Sequence, residues 1–184
     1  IMTHLDAVPD LTQAARLGAG CWGLFHELGH NHQEREWTFG GTGEVTCNLF
    51  SLYICETVCG LPMSTGHDAL KNRTDTIGRH IVTGADFAKW KSEPFTALMM
   101  YIQLREAFGW EAYKSVFAEY QALPAGERPK GDDAARDQWL VRFSRAVNRN
   151  LGPFFEAWGV PTSEQARASV AHLPNWMPEG FPPE

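Results

Sequence analysis

The sequence predicts a mainly α fold, and three observations carry that prediction. Apolar residues recur at helical spacing along most of the chain, most strongly over 93–108, where Phe95, Leu98, Met99, Ile102 and Phe108 share a face. Helix starts and stops punctuate these runs: Asp86 and Ser163 at starts, Gly60 and Pro62 at a stop. Period-two alternation is confined to a weak stretch at 1–8.

Taken in order, residues 1–8 are expected to form an extended entry strand, with sheet partners upstream. His4 reads as an ordinary strand or loop residue. Residues 10–17 read as a short helix, capped by Asp10 after Pro9 and ended by Gly18 and Gly20. Residues 21–33 form the next helix. Its apolar flanks Cys21, Trp22, Leu24, Phe25 and Leu28 predict that it is buried. The segment 34–43 carries Trp37 and Phe39 among charges and glycines, and is either the rim of a cleft or a packed crossover. A second helix runs from Glu44 to about Cys59.

Residues 63–83 look less regular and hold His67, His80 and the sequon Asn72-Arg73-Thr74, which matters only in a secreted chain. A short helix is expected over 86–91. The run 93–108 is apolar nearly all round and is therefore central. Gly109 separates it from 110–123, whose inner stripe is Tyr113, Phe117 and Tyr120. A polar loop at 124–133 precedes a helix over 134–150, capped by Asp133, with Leu140, Phe143 and Val147 inward. Pro153 opens a short helix with Phe154, Phe155 and Trp158. Ser163 caps a last helix to about 171, and 173–184 is a Pro-rich tail.

A length of 184 residues suits one domain, 1–184. The net charge of -6 argues against a nucleic-acid binder, which needs a basic patch. No apolar run reaches the length of a membrane span. The four cysteines, at 21, 47, 55 and 59, form no C-x-x-C pair, so they read as buried thiols and not as a zinc ribbon.

The chemistry sits in His26-Glu27-Leu28-Gly29-His30. On a helix, positions four apart lie on one face, so His26 and His30 can aim two imidazoles at one metal ion. Glu27 stands beside them, placed to act as a general base on water. Chance alone puts H-E-x-x-H into roughly one such chain in fifty, so context matters. The context is an apolar helix, where two histidines and a glutamate need partners. Zinc is the simplest partner, with a third protein ligand and a fourth position open to water. Glu44, on the next helix, completes a His-His-Glu set. Asn48, one turn on, suits the orientation of a ligand by hydrogen bonding. Glu34, Glu36 and Glu56 are rivals to Glu44.

The run from Trp22 through His26-Glu27-Leu28-Gly29-His30-Asn31-His32-Gln33, then Trp37-Thr38-Phe39, then Glu44-Val45-Thr46 and Asn48-Leu49-Phe50-Ser51-Leu52-Tyr53, resembles the enhancin-like, mucin-directed zinc metallopeptidases of the gluzincin group. Gln103-Leu104, Phe108-Gly109-Trp110, Pro153-Phe154-Phe155 and Trp158-Gly159 fit the same pattern. The likeness runs from about Thr3 to Pro161.

It implies the helical C-terminal half of a zincin-like catalytic domain, with the zinc helix packed on a Glu-bearing helix and any β lobe upstream. It implies one zinc on His26, His30 and Glu44, with Glu27 as the base. It also implies protein, glycoprotein or mucin-like substrates and a secreted or cell-surface location. Tyr101 is a candidate oxyanion donor and His80 a second. The expected activity is zinc-dependent endopeptidase hydrolysis. The alternative is a zinc-bound, non-catalytic module that binds a partner protein, as vertebrate channel-associated relatives of the family suggest; they often lose a ligand, whereas this chain keeps the set.

Overall fold

A computed structural model describes residues 5–182, and His4 lies outside them. The mainly α expectation holds: no β-strand forms among the described residues, and one parallel bridge joins Asn150 to Asn175. The expected entry strand is corrected where it can be seen. Leu5–Ala7 is a 3-10 turn that runs into helix α1, Val8–Thr12, with Pro9 in its first turn. A Pro early in a helix removes no needed N–H and presets φ. Asp10 lies inside α1 and is no cap. The single helix expected over 10–17 is broken at Gln13, whose φ of -107° and ψ of 109° are extended, and α2 follows at Ala14–Gly18.

Helix α3 spans Trp22–His30 and α4 spans Gly43–Thr57. The two cross at very short range because position 29 has no side chain. A Cβ on Gly29 would lie 2.9 Å from the Cα of Cys47 and closer still to its carbonyl oxygen. The segment between them settles as the packed crossover: Trp37 is 1% exposed against Phe117 and Tyr120, and Phe39 stacks on Trp90.

Residues 63–83 hold more order than expected. Two 3-10 turns lead into α5, Arg73–Val82. Its inner side carries only Ile77, His80 and Ile81, too few for a clear apolar period. Asp86 caps α6, Phe87–Ser92, by accepting from Lys89 N.

The long α7, Pro94–Gln121, is two helices joined at Gly109, where φ is 74° and ψ 178°. Only glycine takes that conformation at no steric cost. The first half threads the centre of the molecule, with Ala97 to Ile102 all within 2% exposure. Helix α4 packs on it through Val45, Leu49 and Leu52. Glu56 ties α4 across the kink by accepting from Arg105 at 2.5 Å and Trp110 at 2.6 Å.

Helix α8, Asp132–Val147, lays Trp139 and Phe143 against Tyr113, Phe117 and Tyr120 of the second half of α7. Its first turn begins at Asp132, so Asp133 is inside it and Gly131 occupies the cap. The short α9, Gly152–Ala157, and α10, Glu164–Val170, follow, the latter capped by Ser163 as expected. The tail packs, with Trp176 on Phe108 and Phe154 and with Phe181 on Trp158. Among the described residues no helix is long and apolar enough to cross a membrane.

Candidate metal centre

The close crossing of α3 and α4 brings four side chains together: His26 and His30 from α3, Glu44 and Cys47 from α4. The Nε2 atoms of His26 and His30 stand 3.1 Å apart. Glu44 Oε2 is 3.1 Å from the first and 3.8 Å from the second. Ligands placed about 2.0–2.1 Å from a tetrahedral zinc ion lie about 3.3 Å from one another, which these separations match.

The hydrogen bonds decide which nitrogen faces inward. Asn48 Nδ2 donates to the Glu44 carbonyl at 2.6 Å, so its Oδ1 must be the atom 2.7 Å from His26 Nδ1. Gln33 Nε2 donates to the Gly43 carbonyl at 2.5 Å, so its Oε1 must be the atom 2.9 Å from His30 Nδ1. Each Nδ1 therefore donates, and each Nε2 is left with a lone pair. Two lone pairs and a carboxylate oxygen crowded at 3.1–3.8 Å repel one another unless a cation lies among them. The donor set is borderline-soft nitrogen with one carboxylate, which suits zinc.

Asn48 occupies the orienting position expected of it. Gln33 fills the matching place behind His30, and sequence reasoning missed it. The signal was its position, three residues past His30 at a helix end, from which a side chain can fold back.

Cys47 was read as a small buried thiol. Its Sγ lies 3.5 Å from Nδ1 and 3.9 Å from Nε2 of His26, so it rests against the ring and not in front of the ligand atom. Burial, and then the neighbouring Glu44 carboxylate, push its pKa up to about 12. Its position makes it packing behind His26.

Glu27 is half-buried beside His26. Among the described residues no ion pair or hydrogen bond engages its carboxylate, although its charge reaches the site and adds to the Cys47 shift. The helix is buried on one face only. Leu24, Phe25 and Gly29 face in, while the histidines and Glu27 are half-exposed and Leu28 is 36% exposed, so the expected burial holds for one face of the helix.

The rival carboxylates are engaged elsewhere: Glu34 with Gln121, Glu36 with Arg128, Glu56 with Arg105. Tyr101 is withdrawn as an oxyanion donor. It is 1% exposed, stacked on Trp139, with its hydroxyl sealed in the core where no substrate reaches. His80 is likewise structural: it stacks on Trp158, with its Nε2 3.1 Å from the Trp158 carbonyl.

The chain is 44% identical over 180 residues to TRPM8 channel-associated factor 2 of Bos taurus and 41% identical over 180 residues to a TRPM8 channel-associated factor homolog of Xenopus laevis. Each match covers 96% of this chain and 19% of the relative, so the chain spans about a fifth of those proteins. Among solved structures, a functionally unknown conserved protein from Bacillus anthracis str. Ames superposes with a TM-score of 0.75 at 30% identity, over 87% of this chain and 32% of that one. A family model described as Peptidase M60, enhancin and enhancin-like, matches residues 1–159. The chain belongs to that family.

Proposed function

We propose that the chain holds one zinc ion through His26, His30 and Glu44 and supports hydrolysis of peptide bonds in protein or glycoprotein substrates. The observation that carries this reading is the pair of inward lone pairs facing Glu44, each histidine fixed by an amide behind it. When bound, zinc supplies Lewis-acid polarisation of a carbonyl and brings the pKa of water down to about 7. Glu27 accepts the proton of the attacking water and delivers it to the leaving amine. Its free, half-exposed carboxylate suits that task. Asn48 and Gln33 fix the tautomer of both imidazoles and keep them aimed. Mucin-type substrates are supported by family resemblance alone.

The test is Glu27→Gln in the zinc-loaded chain, assayed on a mucin-type glycoprotein. Metal retained with hydrolysis lost supports the reading, and normal hydrolysis in the variant refutes the assigned base.

A second reading is favoured by one observation, the name of the relatives at 41–44% identity, which describes association with a channel. On that reading the module binds zinc and a partner protein without turnover. An intact Glu27 weighs against it, because a scaffold has no use for a base.

A further inference from the structure

A polar cleft of about 520 Å³ lies between α5, α6 and the start of α7. We propose that it is a carboxylate-binding subsite for an acidic residue of a peptide substrate, an inference that rests on the peptidase reading above.

Three observations carry it. Arg79 and Lys89 both line the cleft, are exposed, and make no side-chain ion pair among the described residues. Arg16, Arg73, Arg105, Arg128, Arg136 and Arg142, by contrast, each meet a carboxylate. The one acid in the lining, Glu93, accepts a hydrogen bond from Thr96 at 2.8 Å, which partly satisfies it. The N-terminus of α7 opens into the same space through Pro94, Phe95 and Thr96, and the first N–H groups of a helix have no partner within it.

The third observation is position. Trp22 precedes His26 by four residues on the same face of α3, about 6 Å along the axis. The Trp22 ring stacks with Phe95 at 6.3 Å between centroids, and Phe95 is a wall of the cleft. Gly66 lets the neighbouring turn close over Trp22, and His67 packs on both rings, which makes the path a continuous aromatic floor. These contacts lead from the helix that carries His26 to the wall of the cleft. A peptide with its scissile bond at His26 and Glu44 that runs along this floor enters the cleft. A carboxylate there meets Arg79 in its fork geometry and Lys89 as a point charge.

The experiment is an amide-shift NMR titration of the purified chain, with and without added zinc. The probes are an N-acetylated pentapeptide amide with two glutamates and its glutamine counterpart. The glutamate peptide is expected to shift Arg79, Lys89, Phe95 and Thr96 and to bind about tenfold tighter, the effect of one net charge-assisted contact. The Arg79→Ala, Lys89→Ala double variant is expected to lose that difference while the rest of its spectrum is unchanged. Equal binding of the two peptides, or shifts centred elsewhere, overturns the subsite. Because the readout is binding with and without metal, it stands apart from the hydrolysis assay that tests the peptidase reading.

Discussion

Gln33 grips both sides of the metal centre: its Oε1 accepts from His30 Nδ1 at 2.9 Å while its Nε2 donates to the Gly43 carbonyl, next to Glu44, at 2.5 Å. A single amide therefore fixes the tautomer of one proposed ligand and the start of the helix that carries another. Orienting partners of this kind typically contribute 10–100-fold in metal affinity. Gln33→Leu is expected to weaken zinc binding by about that factor in a competition with a chromophoric chelator. Gln33→Glu, which still accepts from Nδ1 but no longer donates to the Gly43 carbonyl, is expected to recover only part of it. Equal affinity in the leucine variant would remove Gln33 from the site.

Gly29→Ala tests the crossing that assembles the centre. The added methyl would meet the Cys47 backbone, its Cα at 2.9 Å, and backbone cannot swing aside as a side chain can. Alanine gains about 1 kcal/mol of helix propensity over glycine. Overpacking costs about 1–3 kcal/mol and moves α3 off α4. A lowered Tm together with weaker zinc binding is the expected result. A Tm equal to or above that of the parent would contradict the close-approach account.

Tyr101→Phe separates the core from the chemistry. The Tyr101 hydroxyl is buried without a partner, and an unsatisfied buried polar group costs about 1–3 kcal/mol. Removing it is expected to leave Tm unchanged or raised and to leave hydrolysis untouched. A loss of activity with the fold intact would restore Tyr101 to the mechanism.

Much of this was legible in the sequence, and the parts that were not have physical causes. His26, Glu27 and His30 are set by the four-residue period of one helix, and Asn48 follows Glu44 by the same period. The kink at Gly109 and the Ser163 cap are also local features. Tyr101 misled because helical spacing gives the direction of a side chain but not what lies beyond it, here Trp139 on a distant helix. The order of α5 is hard to read because its inner side carries only Ile77, His80 and Ile81, too few positions for a clear apolar period. The Gly29 contact depends on a second helix, so no window around residue 29 contains it.

Cys55 carries a pH prediction. Burial first, and then nearby Cys59, push its pKa up from 9.0 to about 11 in the folded chain. The unfolded thiol ionises first as pH rises, so the folded chain holds more protons between these values. The stability from this group is fully present below about 9 and is lost as pH rises towards 11. Denaturation midpoints over pH 8 to 10.5 are expected to fall less in Cys55→Ala than in the parent. At pH 8.5 iodoacetamide should label Cys21 and Cys59, both partly exposed, well before Cys55. Labelling of Cys55 at their rate would contradict its burial.

The central claim is that His26, His30 and Glu44 form one metal site, and elemental analysis of the purified, zinc-loaded chain tests it most directly. About one zinc per chain is the predicted result, kept in Glu27→Gln and lost or strongly weakened in Glu44→Ala and His30→Ala. No zinc in the parent after loading, or full occupancy in Glu44→Ala, would contradict the site.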